Sequence, residues 1–189
     1  MDYQIEKENE KKKVKALAMI GFFVIGMIGT LLHFTYELFG NNLFVASFSA
    51  INESVWEHLK IAVMPTFLWI IIEFITLKYR QDNLWSSLLI KIITIMLTIT
   101  LGFYGYTAIF QTHIIWLDIL LFFVAILLGQ VFAYNEMKKE PVKKEYEEIA
   151  KYLVLVIFFM FVAFTFIPPN LGIFKDEVTS TYGVFQMEY

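Results

Sequence analysis

The sequence predicts an all-α fold, a polytopic transmembrane bundle of five spans forming a single integral membrane domain over residues 1–189. Three observations predict it. Apolar stretches of about twenty residues, enough to cross a hydrocarbon core roughly 30 Å thick, recur along the chain. Charged residues make up only 17% of the 189 residues, against about a quarter in a soluble domain, and they gather between the apolar stretches. The mean hydropathy is +0.62.

The first span is expected at 16–36, behind a basic segment with Lys11, Lys12, Lys13 and Lys15. Its apolar run from Ala16 past Leu32 exceeds a signal-peptide core, and no small-x-small cleavage site follows, so it reads as a retained span. Further spans are expected at 59–77, 84–106, 114–134 and 149–167. Pro168-Pro169 should stop the last helix, because proline lacks an amide donor and clashes with the preceding turn. The residues after Pro169 offer no apolar run for a sixth span.

Lysine and arginine set the expected orientation. Lys7, Lys11, Lys12, Lys13 and Lys15 precede span one, Lys78 and Arg80 separate spans two and three, and Lys138, Lys139, Lys143, Lys144 and Lys151 surround the connection between spans four and five. Those segments share one side of a five-span arrangement. That side, with the N-terminus, should be cytoplasmic in a cell membrane, which leaves the C-terminus outside. Lys175 is the one basic residue of the outer segments, with Lys60 at a span end and Lys91 within a span. Glu73 and Lys91 fall inside spans two and three, where an unpaired charge is expensive, so they are expected to form a structural ion pair.

The connection between spans one and two is unusual. Phe34 to His58 holds no lysine or arginine, yet it carries Glu37, Asn52, Glu53, Glu57 and His58. Within it Leu43–Ala50 is apolar but too short to cross, and reads as an interfacial or re-entrant segment buried against protein, with Gly40 and Asn41-Asn42 turning into it. Ser54-x-x-Glu57 matches a capping box at the start of span two, Trp56 fits an interfacial anchor, and Pro65 should bend that span. Gly26 and Gly29-Thr30 on span one would allow close helix packing, within the chain or against a partner.

All three histidines fall near the outer surface: His33 ends span one, His58 begins span two and His113 begins span four. With no cysteine in the chain, imidazoles and a carboxylate are the ligands that suit zinc, and three protein ligands with an open position mark a catalytic centre. The candidate ligands are His33, Glu37, His58 and His113, with His33 and Glu37 on one helix face. Glu53 and Glu57 are candidate general bases for a metal-bound water. Asn52 and Asp118 are candidates to orient the ligands. Against this stand the divergence of adjacent Glu57 and His58 on a helix and the absence of a His-Glu-x-x-His spacing. A structural hydrogen-bond network on the outer face is the alternative.

Asn52-Glu53-Ser54-Val55-Trp56-Glu57-His58-Leu59-Lys60 and the tail Pro168-Pro169…Phe174-Lys175-Asp176…Thr179-x-x-Tyr182-Gly183 resemble a family of small bacterial multi-pass membrane proteins of unknown function. The resemblance covers most of the chain and implies no activity. It implies a histidine after the paired prolines, where this chain has Asn170 and so no ligand from the tail. Asn52-Glu53-Ser54 and Trp56-Glu57-His58-Leu59 are also similar to a motif of the progestin and adipoQ receptor family and its ceramidase-like relatives, which are zinc-dependent membrane hydrolases. That likeness implies only His58 as a ligand. The spacing differs, the spans are fewer, and the paired His-x-x-x-His is absent.

The functional readings that follow are a metal-assisted hydrolase acting on a lipid or amide, a small-ligand or ion binding or transport protein, and an accessory membrane subunit. The expected surroundings are the lipid bilayer and a lipid or small-molecule ligand at the outer face, and the sequence specifies no protein partner. No zinc-finger spacing, arginine-rich patch or glycine-rich phosphate loop supports nucleic-acid or nucleotide binding.

Overall fold

The long apolar runs of this sequence satisfy their backbone polar groups internally as helices, the form a single chain needs in lipid. The computed structural model describes residues 2–77 and 82–188, with side chains from Glu8 onward. Lys7, Lys78 and Arg80, which enter the orientation argument, lie outside the described side chains. The helices are α1 (Asp2–Leu38), α2 (Leu43–Ala46), α3 (Val55–Thr76), α4 (Leu84–Phe110), α5 (Ile115–Met137) and α6 (Lys144–Phe166), followed by a 3-10 turn at Gly172–Phe174. Five of them, all but α2, are long and apolar enough to cross a membrane.

The boundaries shift outward from those expected, for local reasons. α1 starts at Asp2 rather than Ala16, because glutamate and lysine favour helix and pair along it. Glu8 lies 3.9 Å from Lys12 and Glu10 lies 2.6 Å from Lys13. α6 likewise begins at Lys144, not Ile149, and ends at Phe166, just ahead of the proline pair.

α3 is the central helix. It packs against α1, α4 and α6, and 61% of its most apolar stretch is buried, against 22% for α5 and for α6. α5 packs on α4 and α1. The outward faces carry Phe23, Met27 and Leu31 of α1, Leu101 of α4 and Phe159 of α6, an apolar surface that suits lipid.

Close approach of α1 to α3 and α5 depends on its glycines. Pro65 sits inside α3 and has no N–H to offer the Ile61 carbonyl. A Cβ on Gly29 would lie 2.5 Å from that carbonyl oxygen and 2.7 Å from Phe122 of α5. A Cβ on Gly26 would lie 2.9 Å from Phe123. These small residues are therefore filled by the chain's own helices.

Two connections meet at the end of the bundle holding the start of α4. Asn83 donates to the carbonyls of Glu136 and Glu140 and accepts from the Val142 amide, while the Glu147 carboxylate accepts the Trp85 and Ser86 amides. Deeper in, Lys91 meets Glu73 at 2.9 Å, with Lys91 fully buried.

Candidate metal centre

The opposite end is organised by the turn from α1 into α3. Gly40 and Asn41 adopt left-handed backbone, with φ of 66° and 58°, and turn the chain into α2. Asn42 then caps α2 by accepting the amides of Phe44 and Val45. Ala46 and Ser49 are fully buried while Phe44 stays 76% exposed, so α2 presents one side to protein and one outward. The Ala50 amide reaches the Leu32 carbonyl, and Ser49 and Thr35 share a short hydrogen bond, which fasten the segment to α1.

Behind it lies a buried ionic knot that sequence reading passed over. The Lys60 ammonium, with no exposure, sits 2.5 Å from Glu57 and donates to the Ala46 carbonyl and the Thr165 hydroxyl, both at 2.8 Å. Its three donors are all used. Glu57 also accepts the Ile51 amide at 3.2 Å. The capping box is thus half formed: the Glu57 amide goes to Ser54 Oγ, but the Ser54 amide goes to Asn52 Oδ1. As candidate general base, Glu57 is turned inward and taken up by Lys60. Trp56, expected at the membrane interface, is buried instead. It stacks on Phe161 at 4.4 Å between ring centroids and touches Phe164 and Phe174.

His33, Glu53 and His58 converge in front of this knot. One ligand atom from each lies within 4.8 Å of the others. Glu53 Oε2 is 3.5 Å from His58 Nε2 and 3.9 Å from His33 Nε2. Two nitrogen or oxygen ligands on a tetrahedral zinc stand roughly 3.3 Å apart, given metal–ligand bonds of about 2.0–2.1 Å. The cluster is therefore a few tenths of an ångström to about 1.5 Å wider than a closed site. His58 Nδ1 lies 3.0 Å from the Ser54 carbonyl. A carbonyl only accepts, so Nδ1 carries a proton and Nε2 is the ring nitrogen turned toward Glu53. This is the orientation by which a second hydrogen bond prepares a histidine ligand. The two histidine side chains are about one-third exposed and Glu53 is half exposed, so water reaches the cluster.

Glu53 joins as a third ligand candidate, a role different from the general base expected of it. It stands in the irregular turn before α3. Asn52 shapes that turn through the Ser54 amide, and Asp176 accepts the Glu53 amide at 3.1 Å. Burial alone would push the Asp176 carboxyl up, but hydrogen bonds from Thr179, Val178 and Glu53 outweigh it and hold the group below the ordinary carboxylate value.

The remaining candidates lie elsewhere. Glu37 is exposed and outside the convergent group. His113 Nδ1 faces Asp118 at 3.7 Å, and Asp118 makes a short hydrogen bond to the Tyr106 hydroxyl, which in turn accepts the Ile114 amide. That arrangement braces the α4–α5 turn. Among the described residues, His33, Glu53 and His58 are the group that could hold a metal ion.

A match to the family of unknown function DUF6512 spans residues 1–184. The chain belongs to that family. No curated protein and no solved structure matches it.

Proposed function

We propose that this DUF6512 chain is a single-domain protein of the cell membrane, N-terminus cytoplasmic, that binds a zinc-like divalent cation through His33, Glu53 and His58 on its outer face. The observation that carries the proposal is the convergence of those ligand atoms, with His58 held through Nδ1 by the Ser54 carbonyl so that Nε2 faces Glu53. Three ligands leave one position for water, and a metal lowers the pKa of bound water toward about 7. Hydrolysis of an ester or amide at the membrane surface is the chemistry such a centre supports.

The lysines of the α5–α6 connection and of the start of α1 favour the orientation. A transport reading needs polar continuity from Glu53 inward. Between Lys60 and Glu73, α3 buries Ile61, Ala62, Val63, Met64, Trp69 and Ile70, the buried Thr66 hydroxyl there is spent on the Val63 carbonyl of its own helix, and Lys60 and Lys91 are both ion-paired.

Elemental analysis of detergent-purified protein tests the proposal. One zinc per chain is expected in the wild type and in His113→Ala, with loss in His33→Ala and His58→Ala and weakened, still measurable binding in Glu53→Ala, while each stays folded. Wild type that remains metal-free after incubation with zinc would end the reading. Chelator-sensitive turnover of ester or amide probes then tests the hydrolytic step.

A further inference from the structure

The C-terminal tail is bound at the candidate centre although it contributes no ligand. At the end of the 3-10 turn, Phe174 packs on Trp56 at 4.7 Å and on Phe164 at 5.3 Å between ring centroids. The Val184 amide bonds the Thr165 carbonyl, at the end of α6. Gly183 has a φ of 63°, and a Cβ there would lie 2.9 Å from both that carbonyl oxygen and Pro168, so the tail lies flush on the helix end. Asp176 occupies the turn this anchoring creates and is 4% exposed. One carboxylate oxygen accepts the Val178 amide at 3.3 Å, and the other accepts the amide and hydroxyl of Thr179. The remaining bond reaches 123 residues back along the chain, to the amide of Glu53.

The placement of Glu53 depends on that bond. Its turn belongs to no helix and no strand, so no regular backbone ladder fixes it. Asn52 fixes the next amide locally, while Asp176 ties the Glu53 backbone to the distant tail. Accepting from the backbone leaves the Glu53 carboxylate free to point at His33 and His58.

We infer that Asp176 is a positioning residue for the metal ligand Glu53, which makes the docked tail an integral part of the centre. The inference rests on the metal reading above. Supporting groups around metal ligands are typically worth a factor of about 10–100 in affinity.

Zinc affinity, measured by chelator competition in the full-length protein, tests it across Asp176→Asn, Asp176→Ala, Glu53→Ala and the double variant Glu53→Ala/Asp176→Ala. Asp176→Ala is expected to weaken binding about 10–100-fold. Asp176→Asn, which keeps one acceptor oxygen and the side-chain shape, should lose less and stay folded if the alanine variant does not. In the Glu53→Ala background, loss of Asp176 should change affinity less than twofold, because the ligand it positions has gone. Equal losses in both backgrounds would mean a general structural role and overturn the inference. Unchanged affinity in both Asp176 variants would overturn it while leaving the metal site standing. Wild type without zinc would remove the reading and the inference together.

Discussion

Glu53 and Glu57 stand close together in the sequence, one in the turn before α3 and one in its first turn, yet they belong to opposite kinds of site. Glu57 is buried, paired with Lys60 at 2.5 Å and bonded to the Ile51 amide. Glu53 is half exposed, with its carboxylate facing two imidazole nitrogens. The inner pair is neutral as a unit, and the three donors of its ammonium are taken up. The outer trio gathers a carboxylate and two imidazoles with no lysine or arginine among them. Charge density alone therefore does not mark a site here: the buried pair holds the end of the bundle together, and the unbalanced trio is where an added cation would be attracted.

The largest test of that contrast strikes the closed side. Lys60→Met leaves Glu57 buried without its partner and should cost about 3–5 kcal/mol. Reversible denaturation in detergent would measure it. The double change Glu57→Leu/Lys60→Met should recover much of the loss, since apolar residues can replace a buried pair at little cost. If the single variant were as stable as wild type, the pair would not be holding α2 and α6 to α3.

Next comes the open side. Zinc at a hundred times its dissociation constant should stabilise the wild type by about 2.7 kcal/mol. A melting-temperature shift would report it, and His58→Ala should abolish the shift while leaving the zinc-free stability nearly unchanged. Lys60→Met and His58→Ala thus separate the two regions, one lowering stability and the other removing the response to metal.

Between the two lies Ser54, whose hydroxyl caps α3 through the Glu57 amide at 3.3 Å. Ser54→Ala should cost about 1 kcal/mol. It should leave zinc affinity almost intact, because His58 is oriented by the Ser54 backbone carbonyl rather than its side chain. A large loss of affinity would show that the start of α3 transmits strain to the cluster.

The smallest expected effect is a pH dependence at the tail. The folded Asp176 carboxyl titrates below the ordinary carboxylate value. Its contribution is therefore present above the unfolded pKa of about 3.9 and is lost as pH falls through the folded value. Hydrogen exchange at the Glu53 amide, corrected for intrinsic rates, should accelerate in that acid window and stay flat from there to neutral pH. Acceleration on raising the pH instead would reverse the sign and rule out the ionised carboxylate as the acceptor.

The sequence by itself determined the five apolar helices, the stop at Pro168-Pro169, the short apolar segment packed against protein between α1 and α3, and the pairing of opposite charges at Glu73 and Lys91, which meet at 2.9 Å. Those features follow from hydrophobic length, backbone chemistry and the expense of an isolated charge in lipid, all readable from residue types in order. The candidate site was only partly legible. His33 and His58 were visible as histidines at neighbouring span ends, but their meeting with Glu53 depends on how α1 packs against α3. Lys60 looked like a residue at a span end, and Trp56 like an interfacial anchor, because a one-dimensional reading cannot know that α6 packs on both and the tail on Trp56. Asp176 had no long-range signature at all, since its spacing to Thr179 describes a local turn equally well. Only tertiary structure decided which carboxylate faces inward and which faces the histidines, because that choice is made by the groups that surround each one after folding, and those come from segments far apart in the chain.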